Sequence, residues 1–386
     1  MVTLRERMLK TLRHEIPDEV PCCPDHSIMV PLKLKNRPFW EFYIDEKENK
    51  FCDVYNNENI FEAYVDACRY FGTIAWCWYQ APKIKNEEVS YKHEIISKSE
   101  DRRIVKTTMS TPEGDLWSET MYPIGNPAVP KRRYIKDFKK EFKFLKYFYP
   151  DLGEIDFTPV LKEKEYIGDQ GVVSIAVLPP SLVHLDSIVD GGLGALGIIY
   201  YDYPDLIGKY KDMHEEWSLK YLKKIIESKS CDEILTGGSG LVTWQSPKII
   251  RDLSLDGLKQ LTGLCKKNGL ISHIHCCGFE NALVKMSAEE TDLDVIEPLE
   301  TPPQGDCDLA ELKRLYGDKL VLKGNIHTSE VMLGDVKKVE EAAIKCIEDA
   351  KENGGFILST GDQCGRDTPH ENIFKLVEVC KKYGKY

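Results

Sequence analysis

The residue types best suited to bind a metal ion are concentrated in one short run, His273-Ile274-His275-Cys276-Cys277. Apolar residues before it predict a β-strand, and alternate side chains of a strand share a face, so His273, His275 and Cys277 would point the same way. Imidazole nitrogen and thiolate sulfur together suit zinc. On spacing alone, however, a histidine and a cysteine packed in the core are favoured over a metal site, and His273, which lies deeper in the strand, fits a core histidine better than a partner of a ligand.

A third soft donor follows the last predicted strand, in the segment Gly361-Asp362-Gln363-Cys364. If the strands form a barrel, this loop and the end of the histidine strand share one rim, where barrel enzymes place their active sites. A zinc ion that keeps an open coordination position needs about three protein ligands. Cys364 is therefore the candidate that would complete a site with His275 and Cys277.

The elements that would position these residues alternate along the chain. Short apolar runs rich in β-branched residues alternate with longer amphipathic stretches, which indicates βα units around a parallel sheet. Eight strands are predicted, at 19–24, 73–79, 172–177, 233–236, 270–275, 293–297, 320–326 and 356–359, with helices at 206–228, 247–268, 309–316 and 336–353. This pattern predicts a (β/α)8 TIM barrel, and an open doubly wound sheet is the alternative with the same local pattern.

One region departs from the βα pattern. Alternating segments flank the turn Thr111-Pro112-Glu113-Gly114-Asp115 and predict an antiparallel hairpin insertion near residues 91–122. We expect one barrel domain over residues 1–386, with the insertion at 85–150 near the barrel mouth.

Composition excludes several classes of protein. The formal net charge is −11, with 63 acidic and 52 basic residues, which argues against a nucleic-acid partner. The first thirty residues contain no apolar signal segment, and no apolar run has the length of a membrane span, so we expect a cytoplasmic protein. In that reducing compartment, most of the thirteen cysteines should be buried thiols rather than disulfides.

Longer motifs carry a family resemblance. His275-Cys276-Cys277-Gly278, the later Gly361-Asp362-Gln363-Cys364 and Asp367-Thr368-Pro369-His370-Glu371-Asn372 resemble the zinc methyltransferases of the uroporphyrinogen decarboxylase superfamily. Further similar segments are Leu322-Lys323-Gly324-Asn325-Ile326-His327 and the glycine-rich run 236–240 before Gln245-Ser246-Pro247. The resemblance covers roughly residues 230–375 and is loose in the first third of the chain. It implies that His275, Cys277 and Cys364 bind Zn2+.

Three branches of that superfamily imply different activities. Porphyrinogen decarboxylases carry an arginine-rich loop near the N-terminus, but this chain has Pro21-Cys22-Cys23-Pro24-Asp25-His26-Ser27 there. A second branch transfers methyl from a corrinoid protein to a thiol such as coenzyme M. The third, which the length and the segment 237–246 resemble more closely, takes methyl from a methoxylated aromatic and delivers it to the cobalt of a separate corrinoid protein. A barrel with a purely structural zinc, serving as a binding subunit, is the alternative of another class, and a homodimer is compatible with the sequence.

Residues near the predicted barrel rim complete the expected site. Acids there would orient the substrate, protonate the leaving phenolate or occupy a zinc position, and we expect these catalytic roles of Glu297, Glu300 and Asp362. Aromatic side chains could form a slot for a ring, although packing in the core explains them as readily. The expected substrate contacts are Asp25, His26, Trp76, Trp78, Tyr79 and Trp244.

Overall fold

The computed structural model describes residues 2–48, 50–52 and 57–386. Its strands are β1 Ile44–Asp45, β2 Lys50–Phe51, β3 Ala75–Cys77, β4 Lys83–Ile84, β5 Ser90–Lys98, β6 Arg102–Thr111, β7 Gly114–Pro123, β8 Val129–Arg132, β9 Ile155–Asp156, β10 Gly171–Ala176, β11 Glu233–Gly237, β12 Ile271–His275, β13 Val295–Glu297, β14 Val321–Ile326 and β15 Phe356–Thr360.

The α-helices are α1 Leu4–Leu12, α2 Met29–Leu34, α3 Glu58–Phe71, α4 Phe138–Glu141, α5 Thr158–Ile167, α6 Leu182–Asp186, α7 Gly192–Asp202, α8 Pro204–Ser228, α9 Leu241–Ile249, α10 Leu255–Asn268, α11 Asn281–Glu290, α12 Leu309–Tyr316, α13 Val336–Ala350 and α14 His370–Tyr383. Among the described residues, no helix combines the length and the apolar character needed to cross a membrane.

A curled parallel sheet of seven strands forms the centre of the fold, in the order β15-β14-β13-β12-β11-β10-β3. Its two edges meet across residues 21–23. Ile74 N donates to Cys22 O at 2.8 Å on one side, and Cys23 N donates to Leu358 O at 2.9 Å on the other. The predicted (β/α)8 barrel architecture is thereby confirmed.

The first predicted strand, at 19–24, is wrong as a regular strand. Among the described residues, the segment has only isolated bridges, a parallel one between Cys22 and Leu358 and an antiparallel one between Glu19 and Lys385. Pro21 and Pro24 flank the bridge at Cys22, and proline has no backbone N–H to extend a hydrogen-bonded ladder. The chain therefore fills the eighth position of the barrel with irregular extended backbone.

The predicted helix at 247–268 is present, but it is not one regular α-helix. Ser246, with φ of 67° and ψ of 153°, breaks α9 internally, and a π-helical turn over residues 250–254 then leads into α10. Proline disfavours helical backbone in the residue before it, so Pro247 accounts for the break at Ser246.

The expected hairpin is confirmed, and it belongs to a larger antiparallel sheet in the order β5-β6-β7-β8. Thr111 pairs with Gly114 at the tip, and the two long strands stay in register from there to Arg102 and Pro123. Met109 and Leu116 are buried in a cluster with residues of α6, α7 and α8, so one end of this sheet packs on helices that follow β10.

The barrel interior is closed at its lower end by α1. Thr3 and Glu6 cap this helix reciprocally, and Met8 and Leu12 are buried against the interior cluster. Apolar side chains from successive strands fill the lower barrel, as in other barrels: Val172, Leu235, Ile271, Val295, Val321 and Ile357. The polar groups of the interior therefore lie nearer its upper, carboxyl end.

Candidate metal centre

The end of β12 carries the first half of the site. His275 is paired in register with Gly237 of β11 and Glu297 of β13. Cys277 follows two residues later and lies on the same side. Ligand atoms of His275, Cys277 and Asp362 all lie within 4.8 Å of one another, so three donors converge at the carboxyl end of the parallel strands.

A buried carboxylate orients His275. Its Nδ1 lies 3.0 Å from Glu297 Oε1, which accepts the hydrogen bond, and Glu297 is only 1% exposed. The Nε2 atom has a long contact of 3.4 Å to Ser239 Oγ, and the imidazole also lies beside the Cys277 thiol. A carboxylate behind a metal-binding histidine fixes the ring and its tautomer, and this arrangement recurs in zinc sites.

Lys323 forms a buried ion pair with that carboxylate. Its ammonium group donates to Glu297 Oε2, and its side chain is fully buried. Burial opposes the ionisation of Glu297, but Lys323 and His275 together hold the pKa of Glu297 well below its usual value. The carboxylate is therefore ionised when it contacts the imidazole.

The surroundings of His275 favour a positive charge. Burial lowers its pKa, but the hydrogen bonds to Cys277 and Glu297 outweigh burial and raise the pKa well above the usual histidine value. Surroundings that stabilise the protonated imidazole of His275 also favour a bound cation. The site thus fits a divalent metal ion on electrostatic grounds.

The loop after β15 supplies the second half of the site. Asp362 has a φ of 93°, and its Oδ1 is buried without a hydrogen-bond partner among the described residues. Such a carboxylate oxygen lacks a partner that a metal ion would provide. Nitrogen, sulfur and oxygen donors within this distance fit zinc, so the residues present suit the ion that the sequence implies.

Cys364 lies in the same loop, yet it is not part of the group within 4.8 Å. Its side chain is fully buried, and its backbone N donates to Asp25 O at 2.7 Å. Burial raises the pKa of the Cys364 thiol to about 12. The structure therefore places Asp362, rather than Cys364, beside His275 and Cys277.

Close backbone packing holds the β12 end in place. At Gly237, with φ of 80°, a Cβ atom would lie 2.6 Å from His275 O. At Gly278, with φ of 98°, a Cβ atom would lie 2.1 Å from Thr243 Oγ1. The glycine-rich turn after β11 thus lets the α9 segment approach the ligand strand closely, which only glycine permits at these positions.

A polar layer lies directly beneath the site. Trp76 Nε1 donates to Ser174 Oγ at 2.9 Å and to Glu233, and the indole stacks on the ring of His273 with centroids 4.6 Å apart. The ammonium of Lys323 lies 3.8 Å from the centroid of the same indole. His273 is fully buried, as expected of a core histidine.

Comparison with known proteins relates the second half of the chain to one family. Residues 193–383 match the uroporphyrinogen decarboxylase family. Uroporphyrinogen decarboxylases of Coxiella burnetii are 24% identical over 192 residues, covering 47% of this chain and 49% of the relatives. The alignment thus spans about half the length of those curated relatives. The second half of the chain is thus similar to this family, while residues 1–192 are not matched by the family model.

A solved structure resembles the whole chain. A methyltransferase from Methanosarcina mazei superposes with a TM-score of 0.66 and 17% sequence identity, over 99% of each chain. At this identity the likeness shows the fold alone.

The remaining predicted acids lie on the rim of the barrel. Glu300 Oε2 accepts a hydrogen bond from Gly278 N at 2.5 Å, next to Cys277, and burial raises the pKa of Glu300. Asp25 Oδ1 accepts from Ser27 N at 2.7 Å. Burial raises the pKa of Asp25 to about 6, with the charges of Glu297 and Asp362 adding to the effect.

The predicted substrate contacts divide between the core and the rim. His26 is fully buried, with Nε2 2.9 Å from Thr73 Oγ1 and its ring stacked on Phe71, so it lies in the core. Trp76 lies inside the barrel and Tyr79 is 1% exposed. Trp78 stacks on Tyr79 at 5.1 Å and is partly buried against the interior cluster. Trp244 is 50% exposed on α9.

Sequence reasoning gave no site role to Lys323 or to Glu280. Glu280 Oε2 accepts from Leu299 N at 2.8 Å and is fully buried, so it holds the chain after β13 against the chain after β12. A lysine inside an apolar strand was the available signal for Lys323, because a buried lysine requires an acidic partner. Glu280 gave no comparable signal.

Proposed function

We propose that this chain is a zinc-dependent methyltransferase that takes the methyl group of a methoxylated aromatic and delivers it to the cobalt of a corrinoid protein. The observation that carries the proposal is the convergence of His275, Cys277 and Asp362 at the barrel mouth, with Glu297 behind the imidazole. Three protein ligands leave one position for a substrate, which is the arrangement of a catalytic zinc site.

The ligand set combines the structure with the family resemblance. His275 and Cys277 are common to both, and the loop after β15 supplies Asp362 within 4.8 Å and Cys364 by resemblance. A bound zinc ion would act as a Lewis acid on the ether oxygen and so stabilise the departing phenolate. If Cys364 binds the ion together with His275 and Cys277, Asp362 would occupy the fourth coordination position. The substrate would later replace it there.

The protein's own groups would orient the donor and supply the proton. Ser27 N donates to Oδ1 of Asp25, which leaves Oδ2 to carry a proton. A pKa of about 6 keeps a fraction of Asp25 protonated near neutral pH, as a general acid for the phenolate requires. Glu300, fixed by Gly278 N, would contact the substrate from the opposite side of His275.

Access for a large methyl acceptor is supported by the exposed rim. Trp244 is 50% exposed and Phe279 is 47% exposed, and both follow strands whose ends carry the site. Large exposed aromatic side chains are enriched where proteins meet partners. We propose that the corrinoid domain approaches over this side of the barrel mouth.

Metal content and methyl transfer test the proposal together. Wild-type protein purified anaerobically should hold about one zinc per chain, as expected of a single three-ligand site, and it should methylate cob(I)alamin with some member of a panel of methoxylated aromatics. Cys277→Ser should lose both metal and activity, and Cys231→Ser, a cysteine before the start of β11 and outside the site, should keep both. Comparing Asp362→Asn with Cys364→Ser shows which loop residue binds the ion.

Three outcomes would contradict the proposal. Metal-free wild-type protein would exclude the zinc centre. Zinc-loaded protein that ignores aryl ethers but methylates a thiol from a methylated corrinoid would be a thiol methyltransferase. A zinc ion held by four protein ligands, with no turnover in either assay, would indicate a structural site.

A further inference from the structure

A large cavity separates the antiparallel sheet from the barrel rim. Its volume is about 810 Å³, within the range of small-molecule sites. One wall is formed by the inner face of β5 to β8, and the other by Ile28, His184, Ser187 and Ile188 on chain segments that follow the barrel strands. This cavity lies outside the His275, Cys277 and Asp362 group, none of which lines it.

The two faces of the antiparallel sheet differ in chemistry. Alternate residues along a strand share a face, and the residues facing the cavity are uncharged: Tyr91, His93, Thr107, Ser118, Thr120 and Tyr122. The intervening positions on the outer face carry charges, at Lys92, Glu94, Lys106 and Glu119. A face that only packed against the barrel would be aliphatic, so hydroxyl groups and aromatic rings around an open volume indicate a ligand site.

Aromatic rings line much of the cavity. Phe51 stacks on His93 with centroids 5.1 Å apart, Tyr43 lies 5.3 Å from Tyr122, and Tyr134 lies 5.6 Å from Phe148. Rings already paired in the walls present further faces and edges to a planar guest. The walls therefore suit an aromatic ligand that also accepts or donates hydrogen bonds.

The charged groups that line the cavity also favour an anionic ligand. No described lining residue is acidic, although the chain carries 63 acidic residues, and Arg133 is the single formally charged one. Arg133 Nη2 donates to Asp186 at 3.1 Å, and within the described residues its other side-chain N–H groups have no acceptor. Those donors are available to a carboxylate, which arginine binds with good geometry.

We propose that this cavity binds a small aromatic carboxylate, with the ring among the tyrosines and the carboxylate on Arg133. The choice of a methoxylated ring rests on the proposed function, whereas the cavity, its aromatic walls and its one cation do not. α6 connects the cavity to the site: His184 lines the cavity, and its neighbour Val183 packs 3.3 Å from the position of a Cβ on Gly238, in the turn beside Cys277. The cavity thus provides a holding site for the methyl donor, or for the phenol that remains, on the side of the barrel mouth.

Direct binding measurements on the full-length protein test this inference. The probes are para-methoxybenzoate, its demethylated counterpart para-hydroxybenzoate, and uncharged methoxybenzene, each titrated calorimetrically. Both carboxylates should bind wild type at least about tenfold more tightly than methoxybenzene, because a charged hydrogen bond contributes about 1.5 kcal/mol or more. Arg133→Gln should abolish that preference, and Arg132→Gln, the neighbouring arginine exposed on the outer side, should retain it.

A second pair of variants tests the location without removing a charge. Thr120→Phe should fill the cavity and weaken all three probes about tenfold or more, whereas Glu119→Phe, on the outer face of β7, should bind as wild type does. Circular dichroism and thermal unfolding identify any variant that fails to fold. Cys277→Ser, which disrupts the metal centre, should leave the Arg133-dependent preference for the two carboxylates unchanged.

Two results would overturn the inference. One is that no probe binds wild type at millimolar concentration. The other is that binding survives Arg133→Gln and Thr120→Phe but disappears in Cys277→Ser, which would place the ligand at the metal centre alone. If methyl transfer fails while binding depends on Arg133 and Thr120, the proposed function fails and the cavity assignment stands.

Discussion

Replacing Lys323 with methionine should destabilise the protein substantially while keeping the shape of the side chain. Lys323 is 0% exposed and its partner Glu297 is 1% exposed, so the substitution leaves a carboxylate in the barrel interior without its cation. Removing one member of a buried ion pair typically costs about 3–5 kcal/mol. His275 still contacts Glu297, so we expect the lower end, about 3 kcal/mol of the roughly 5–15 kcal/mol that holds a protein folded.

Urea unfolding of metal-free protein at neutral pH measures this loss as a change in the free energy of unfolding. Adding Glu297→Gln to Lys323→Met removes the unpaired charge, so the double variant should recover about half of the loss or more. The matched control is Lys345→Met, whose side chain is 71% exposed beside Asp349 and should change stability by less than about 1 kcal/mol.

The same variants separate stability from metal binding. Glu297→Gln should weaken zinc binding by about 10–100-fold in a chelator competition, because the carboxylate holds the imidazole in its binding orientation. A Lys323→Met protein as stable as the Lys345→Met control would refute the reasoning, since it would mean that Glu297 needs no buried cation.

Other changes have smaller or more local effects. Burial raises the pKa of Glu163 from 4.5 to about 8, so the folded state keeps a proton that the unfolded state loses, and stability should fall as pH rises from about 4.5 to 8. Denaturation of wild type and Glu163→Gln across this range should show the variant's relative stability rising with pH; a constant difference would count against it. Gly278→Ala should lower the melting temperature and zinc content together, because its Cβ would meet Thr243 Oγ1 at 2.1 Å, and an unchanged melting temperature would contradict the packing argument. Asp308→Ala should cost about 1 kcal/mol in urea unfolding, since Asp308 caps α12, and a neutral result would show that the cap contributes nothing.

The sequence predicted the parts of the fold that follow from local pattern. Apolar runs located β10 to β15 to within about two residues, and alternation along β12 correctly placed His275 and Cys277 together. The segment at 19–24 was predicted less well, because prolines on both sides leave its backbone with few ladder hydrogen bonds. Its pairing depends on two edges that only the closed sheet brings together.

In the candidate site, too, some features depend on contacts between distant segments, which a local sequence pattern does not predict. Spacing cannot decide between Asp362 and Cys364, because the positive φ of Asp362 turns the loop and determines which side chain enters the mouth. The contact between Lys323 and Glu297 depends on the register of β13 and β14, in which Ile296 pairs with Leu322 and the next step brings the two charges together. Neither arrangement follows from the composition of a single segment.

The two halves of the metal centre differ in stiffness. His275 is fixed by strand pairing, by Glu297 and by the close approach of the glycine turn, whereas Asp362 lies on a loop in a backbone conformation that costs about 1–3 kcal/mol. An ion that binds at this candidate site would meet donors on a paired strand and a donor on a loop. Release should therefore begin at the loop, so changes in the loop should alter how long the ion resides, while changes along β12 should alter whether it binds at all.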